Sequence, residues 1–205
     1  QMPFCNVFAE PPAPPEDSAR YTYVGNNYER QEQFERYYAE PAETLRRRLG
    51  VQTTVHGNWL TRSPERMHPR SLVQQYLHVA FAPRLAYRDV HGALASSLAV
   101  CHITKPEYAS HGNVTVRYFE ALAAGVPALI PVESALMRDV GDSAGLMVAS
   151  PADVIRKVTN LAGTSVKDRA FLVRSQERAL RELADFSPGH KVNLIEAVSK
   201  KEIVS

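Results

Sequence analysis

Cysteine is scarce in this sequence, which excludes a fold held together by disulfides. The two cysteines, Cys5 and Cys101, lie far apart and form no framework of paired thiols. Cys101 lies within an apolar run and is expected to be a buried free thiol. This pattern predicts a reducing, cytoplasmic setting. Long apolar runs are also missing, so we expect no membrane span.

An excess of charge of one sign is missing as well. Lysine and arginine together number 24 against 22 acidic residues, and the net charge of +2 is too small to indicate nucleic-acid binding by itself. The seven histidines do not have the spacing of zinc ligands. Asp139 and Asp142 stand alone, at a spacing that suits a loop rather than a metal site. The sequence therefore predicts no metal site.

Short apolar runs that alternate with segments of helical periodicity dominate what remains. The runs that predict strands are residues 21–24, 51–55, 78–82, 98–103, 128–132 and 145–149. Helices are predicted for residues 29–48 with a break at Pro41, and for residues 70–77, 87–97, 114–124 and 166–185, with a further start at Ser150. This alternation predicts an α/β fold, a doubly wound (Rossmann-like) parallel sheet with helices on both faces.

The two ends of the chain differ from this central part. Residues 1–19 contain a proline-rich run and are predicted to be an extended linker. Residues 20–186 carry the alternation of strands and helices and form the predicted Rossmann-like domain. Residues 187–205 are predicted to form a C-terminal helix. The sequence begins at a glutamine, and we expect it to be a fragment, or one of two chains that work together.

The stretch from His111 to Pro131 combines a polar loop, a helix and a buried strand. Asn113 is a plausible N-cap, and Gly125 and Pro127 end the helix. Helical spacing predicts a buried face made of Val116, Phe119, Leu122 and Ala123. The amides and the positive dipole end of a helix start can hold an anion. The candidate phosphate contacts at this start are His111, Gly112, Asn113, Val114 and Thr115.

Arg117 and Glu120 lie one helical turn apart beside that face. A carboxylate in this position can accept hydrogen bonds from two neighbouring sugar hydroxyls, and such charge-assisted bonds are strong. An arginine and a glutamate at this spacing also commonly form a solvated surface pair, which is worth only a few tenths of a kcal/mol. The spacing by itself leaves both interpretations open.

The segment Arg117–Pro131, RYFEALAAGVPALIP, resembles the donor-site helix and following strand of the GT-B glycosyltransferases. It is most similar to the CgeB-like branch of the family 4 retaining enzymes, in which the pattern R-x-F-E-x-x-A-x-G is typical. The resemblance extends over roughly residues 21–162 in the right order. It covers the C-terminal, nucleotide-sugar-binding half of the GT-B fold and not the N-terminal half.

The resemblance implies transfer of a sugar from a UDP-, GDP- or TDP-linked donor to an acceptor hydroxyl, without a metal and without a tightly bound cofactor. Glu120 would bind the ribose hydroxyls. Arg117 and Lys105 would stabilise the departing diphosphate, with amides of residues 113–115 assisting. The N-terminal half, in the same or another chain, would supply the acceptor site. The acceptor could be a small molecule, a lipid, a glycan, a protein or modified nucleic acid.

Three predicted loops would surround this donor. Gly25, Asn26 and Arg30 follow the first strand, where the glycine allows close backbone approach and the arginine could reach a phosphate; an ordinary turn is the alternative. Gly57 and Asn58 follow the second strand, near the base in the resembling enzymes. The remaining candidates belong to this second loop and to the predicted loop 104–112. For each of them the alternative to donor binding is a purely structural role, as a packed residue or a solvent-facing loop residue. They are Trp59, expected to pack rather than stack on a base, and Lys105, Tyr108 and His111.

One departure from the family pattern concerns the donor sugar. Many family 4 enzymes carry a second glutamate eight residues before the position of Glu120, and this sequence has Gly112 there. The CgeB-like branch commonly lacks that glutamate too. Two other interpretations remain: a catalytically silent nucleotide-binding or scaffold module on the same fold, and another doubly wound protein such as an epimerase half or a response-regulator-like module. The regulator version requires clustered acids at strand ends, which the sequence lacks.

Overall fold

A computed structural model describes residues 19–27, 29–59, 76–110, 115–134 and 137–184. These residues form parallel strands alternating with helices, as the sequence predicts. The strands are β1 (Arg20–Val24), β2 (Gln52–His56), β3 (Val79–Ala82), β4 (Val100–Cys101), β5 (Ala128–Pro131) and β6 (Met147–Val148). The helices are α1 (Gln31–Phe34), a π-helical turn (Glu35–Ala39), α2 (Glu40–Leu49), α3 (Tyr87–Ala95), α4 (Pro106–Ser110), α5 (Val116–Ala123), α6 (Arg138–Ser143), α7 (Pro151–Ala162) and α8 (Val166–Ala184).

The strand order creates a crevice at one edge of the sheet. Strands β1, β2 and β3 pair in parallel, as do β4, β5 and β6. The two ladders meet through a parallel bridge between Tyr21 and Ala99, so the order across the sheet is β3-β2-β1-β4-β5-β6. The connections run in opposite directions from β1 and β4. Ligands of such sheets bind at the carboxyl ends of the two strands where the order reverses. The predicted doubly wound α/β fold is confirmed.

Helices cover both faces of the sheet with separate apolar cores. On one face α1, α2 and α7 contribute Phe34, Leu45 and Val154 to a core that also contains strand residues such as Leu129. On the other face α3, α5, α6 and α8 pack over a second core that includes Leu94, Tyr118, Val140 and Val173. Because β5 has helices on both sides, all four of its residues are buried. In the described part of the chain, no helix has the length and apolarity needed to cross a membrane.

The first long helix continues through Pro41, where the sequence predicts a break. Pro41 lies in the first turn of α2, directly after the π-helical turn. A proline has no amide to bond to the carbonyl four residues earlier, which here belongs to Tyr37. That carbonyl accepts a hydrogen bond from the hydroxyl of Tyr21 at 3.1 Å. The predicted break is wrong because strand β1 provides the missing donor. The predicted end at Gly50 is confirmed by a left-handed φ of 67°.

The helix of the central stretch is shorter and turned relative to the prediction. It begins at Val116 with Thr115 in the N-cap position, and the side chain of Thr115 makes no capping hydrogen bond. Its buried residues are Tyr118, Ala121 and Leu122, while Val116 is 40% exposed. Leu122 is thus buried as predicted, and Phe119 and Ala123 are partly buried, with Phe119 packed on the second core. The predicted burial of Val116 is wrong. Apolar residues occur around most of this short helix, so their spacing does not single out one face. The prediction also left out Tyr118, whose ring is buried.

Other boundaries agree or differ for simple reasons. Ser150 caps α7 as predicted, and its Oγ accepts from the amide of Asp153 at 3.2 Å. The predicted loop 104–112 contains the short helix α4. Strand β4 keeps only the part of the predicted strand that pairs with β5. Three predicted segments lie outside the described residues: the linker 1–19, the helix 70–77 and the C-terminal helix 187–205. Only residue 19 of the linker and residues 76 and 77 of the first of these helices are described.

Candidate functional site

A cleft of about 450 Å³ opens at the crevice between β1 and β4. Its walls come from three places: the end of β1 with its loop, the segment after β4, and the start of α5. The lining residues are Tyr23, Val24, Gly25, Asn26, Arg30, Ile103, Tyr108, Thr115, Val116 and Arg117. The fold therefore brings together six of the candidates predicted from sequence, namely Gly25, Asn26, Arg30, Tyr108, Thr115 and Arg117.

Two guanidinium groups give this cleft its charge. Arg30 donates from Nη1 to the backbone carbonyl of Asn26 at 3.2 Å, which anchors its head group at the mouth of the first loop. Arg117 enters from the first turn of α5. Burial raises the pKa of the Tyr23 hydroxyl, and the positive charges of both arginines oppose that rise. Both guanidinium groups therefore act electrostatically on the same hydroxyl, and the cleft is suited to an anion.

The loop after β1 is held by the loop after β2. The amide of Asn58 donates to Oδ1 of Asn26 at 2.9 Å, and Nε1 of Trp59 donates to the carbonyl of Gly25 at 2.7 Å. Gly57 has a φ of 145°, and a Cβ there would overlap the carbonyl oxygen of Gly25. Gly57 and Asn58 were predicted to contact the donor, but neither lines the cleft. In this structure they support the loop that does.

Trp59 packs as the sequence analysis expected. It is 4% exposed, and its ring centroid lies 4.5 Å from that of Phe34 and 5.8 Å from that of Tyr23. Its only polar atom is engaged by Gly25. Since the backbone amide of Gly25 also donates, to the carbonyl of His56 at 2.9 Å, the polar groups of this glycine are committed within the protein. A Cβ at Gly25 would lie 2.5 Å from the Tyr23 hydroxyl, so the glycine leaves room for that group.

Arg117 and Glu120 form an ion pair through Nη1 and Oε2. This pair differs from a solvated surface pair, because the side chains are only 36% and 15% exposed. The second carboxylate oxygen of Glu120, Oε1, is buried and has no hydrogen-bond partner among the described residues. A buried carboxylate oxygen without a donor is unfavourable. Glu120 itself does not line the cleft, but its ion-pair partner Arg117 does.

Lys105 lies beside the cleft rather than in its wall. Its Nζ is 3.6 Å from Oε2 of Glu29 and 5.7 Å from the centre of the Tyr108 ring. Its side chain is 15% exposed. Glu29 has a φ of 54°, an unusual conformation for a residue with a side chain, and this places its carboxylate next to the lysine. The charge of Lys105 is thus partly neutralised by Glu29. His111, Gly112, Asn113 and Val114 lie outside the described residues.

Sequence reasoning missed two side chains of this region, Tyr23 and His102. Tyr23 lies in β1 and His102 directly follows β4. Both belong to apolar runs, which predict a strand but do not indicate a functional polar group. His102 is 4% exposed, and burial, with a further effect of Arg30, lowers its pKa to about 4. Position relative to the strand ends is the signal that could have found them, since both belong to the two strands that flank the crevice. Among the described residues, no group of three or more histidine, cysteine or acidic side chains could hold a metal ion.

Comparison with known proteins gives a family and a fold. The profile of a family described as glycosyl transferase-like matches residues 28–197, which is most of the chain. No curated protein sequence shows significant similarity to the chain.

Solved structures agree with this match. β-Glucosyltransferase of phage T4, a DNA modifying enzyme, is 18% identical with a TM-score of 0.64, over 95% of this chain and 54% of that one. The T4 enzyme in complex with UDP and Mn²⁺ gives 18% identity and a TM-score of 0.67, over 94% and 51%. Sucrose-phosphate synthase from Thermosynechococcus elongatus gives 16% and 0.61, over 93% and 47%. At these identities the likeness is one of fold, and the chain spans about half the length of the structures it matches.

Proposed function

The chain belongs to the glycosyl transferase-like family and has the α/β fold of GT-B glycosyltransferases, and from this premise we propose that it is the donor-binding half of such an enzyme. In this proposal the cleft between β1 and β4 binds the diphosphate of a nucleotide sugar. The observation that carries the proposal is the presence of Arg30 and Arg117 in the wall of one cleft at the reversal point of the sheet. The structural neighbours include an enzyme solved with UDP, which makes UDP the first donor to test.

The reaction transfers the sugar from the diphosphate to an acceptor hydroxyl. The bond between the anomeric carbon and the diphosphate oxygen breaks, and its electron pair leaves with the diphosphate. A bond from the acceptor oxygen to the anomeric carbon forms, and the proton of the acceptor hydroxyl passes to the departing diphosphate or to solvent. Fixed cations stabilise the charge that develops on the departing diphosphate, which is electrostatic preorganisation. Arg117 and Arg30 would take this role, since both line the cleft, and Lys105 would assist when its contact with Glu29 at 3.6 Å is released.

We propose that Glu120 binds the ribose hydroxyls. Its Oε2 is paired with Arg117, and its buried Oε1 has no donor among the residues that the structure describes. Two neighbouring hydroxyls of a ribose would satisfy that oxygen. The amides of Asn113, Val114 and Thr115, with His111 and Gly112, would hold the phosphates from the start of α5; Thr115 lines the cleft. The candidate residues Gly57 and Asn58 act in this proposal through the shape of the first loop.

The proposal also includes the finer assignments predicted from sequence: membership of the CgeB-like branch, a cytoplasmic location, and an acceptor site supplied by an N-terminal GT-B half in the same or another chain. It includes independence of a divalent metal, because guanidinium groups would neutralise the diphosphate. A catalytically silent nucleotide-binding module on the same fold is the alternative. Binding of donor without transfer by the complete protein would favour that alternative.

Calorimetric titration of the folded chain with UDP, GDP and TDP tests the proposal. We expect one nucleotide to bind, and to bind equally in EDTA and in MnCl₂. No heat with any of the three in a folded sample would contradict the donor role. Binding that requires Mn²⁺ would contradict the metal-independent mechanism alone. Substitution of both Arg30 and Arg117 by methionine should abolish binding, while Arg48→Met, at the exposed end of α2, should leave it unchanged.

A further inference from the structure

Tyrosine hydroxyls next to this cleft mostly have partners inside the protein. Tyr21 donates to the carbonyl of Tyr37, and Tyr38 donates to the carbonyl of Thr22 at 3.1 Å. Tyr37 donates to the carboxylate of Glu133, at 2.6 Å from Oε2. These bonds are typical, since a buried tyrosine hydroxyl without a partner costs free energy.

Tyr23 is the exception in the wall of the cleft. Its side chain is 6% exposed, yet its hydroxyl donates no hydrogen bond to any residue that the structure describes. The hydroxyl of Tyr118 also has no partner among the described residues, but Tyr118 does not line this cleft. The Tyr23 side chain is therefore mostly buried, while its hydroxyl, which is not one of the fully buried polar atoms without a partner, is accessible at the cleft.

The ring of Tyr23 is fixed in this position. Its centroid lies 5.5 Å from that of Tyr38 and 5.8 Å from that of Trp59, in tilted and edge-on contacts. Gly25 leaves the space that the hydroxyl occupies, because a Cβ at that glycine would be 2.5 Å from the hydroxyl oxygen. A rigid donor requires no reordering when a ligand binds, which favours affinity.

We infer that the hydroxyl of Tyr23 donates a hydrogen bond to an anionic oxygen of the diphosphate, as a third donor beside Arg30 and Arg117. This inference rests on the proposed function. Both guanidinium groups act electrostatically on this hydroxyl, so an anion held by them lies within its surroundings. Burial keeps the pKa of the hydroxyl above its ordinary value despite the two arginines, so the group stays protonated and acts as a donor rather than as a base.

Two variants with the same chemical change test the inference. Tyr23→Phe and Tyr21→Phe each remove one hydroxyl from the same strand, two positions apart. Affinity for UDP, GDP and TDP is measured by calorimetry, and thermal stability by circular dichroism. We expect Tyr23→Phe to weaken binding of the nucleotide by about tenfold or more, because a hydrogen bond to a charged acceptor is of that strength. Its melting temperature should stay close to that of the wild type.

Tyr21→Phe should give the opposite result: a lower melting temperature, because the Tyr37 carbonyl loses its donor, and an unchanged affinity of the folded protein. If wild type binds a nucleoside diphosphate and Tyr23→Phe binds it equally well, the inference is overturned while the proposed function stands. If Tyr23→Phe lowers affinity only together with stability, the hydroxyl serves the fold and the inference is also overturned. Failure of the wild type to bind would overturn both.

Discussion

The two halves of the sheet contribute to the cleft in different ways. The loops that follow β1 and β2 bond to each other through Gly25, Asn26, Asn58 and Trp59, and these bonds fix the wall formed by the first loop. The segments after β4 and before β5 carry charged groups whose bonding is incomplete, such as Oε1 of Glu120. The half that carries β1 and β2 therefore supplies shape together with Arg30, whereas the other, charged half supplies Arg117 and Glu120. Preorganised shape with available charge is the arrangement expected of a binding site for an anion.

The largest effect should come from breaking the wall at Gly57. Gly57→Ala places a Cβ against the carbonyl of Gly25 in a conformation with a φ of 145°. Strain and overpacking together should lower the free energy of unfolding by about 2–5 kcal/mol, as measured by urea denaturation. Gly92→Ala on α3 is the control: nothing lies within 4 Å of its added Cβ, and it should stabilise by about 0.5–1 kcal/mol. An unchanged stability of Gly57→Ala would mean that the two loops are not locked together.

The next effect concerns the buried histidine of the charged half. The pKa of His102 is lowered to about 4 in the folded protein. Between pH 6.5 and pH 4, His102 is protonated in the unfolded chain but stays neutral in the folded protein. The free energy of unfolding should therefore fall as pH falls through this window, by up to about 3 kcal/mol. His102→Gln should remove this part of the pH dependence in denaturation curves, whereas His91→Gln, at an exposed site on α3, should keep it. Parallel pH profiles of wild type and His102→Gln would argue against a neutral buried His102.

A third effect tests the carboxylate of the charged half. Glu120→Ala should weaken nucleotide binding by about 1.5–3 kcal/mol if its bonds to the ribose are charge-assisted. The matched control is Glu43→Ala, which removes a glutamate from an exposed pair with Arg47 on α2. That change should leave affinity unaltered and stability within about 0.5 kcal/mol. An affinity of Glu120→Ala equal to that of the wild type, measured by calorimetry, would remove Glu120 from the site.

The smallest effect should come from Glu29, which partly neutralises Lys105 across 3.6 Å. Glu29→Gln frees the lysine for a phosphate and should raise UDP affinity by up to about fivefold, since pairs of this exposure are worth about 0.2–1 kcal/mol. The gain should shrink at high salt because the interaction is screened. A loss of affinity would instead mean that the carboxylate of Glu29 itself contacts the donor, and that the cleft needs an acid on this side.

Much of the fold was predictable because strands and helices follow local patterns. The apolar runs around Val55 and Leu129 and the cap at Ser150 gave elements close to those observed. Two predictions were wrong where residues distant in the sequence determine the local structure. The break predicted at Pro41 does not occur, because the hydroxyl of Tyr21 bonds to the carbonyl of Tyr37. The face of α5 could not be read from its spacing, since apolar residues surround most of the helix.

The sequence by itself determined the α/β fold class and the family, because hydrophobic periodicity and the motif around Arg117 and Glu120 are local properties of the chain. Only the tertiary structure decided which candidates meet. The order β3-β2-β1-β4-β5-β6 brings Arg30, Arg117 and Tyr23 to one cleft. It places Gly57 and Asn58 behind that cleft, where they support the loop after β1. Strand order depends on packing between distant segments, and no window of sequence contains it.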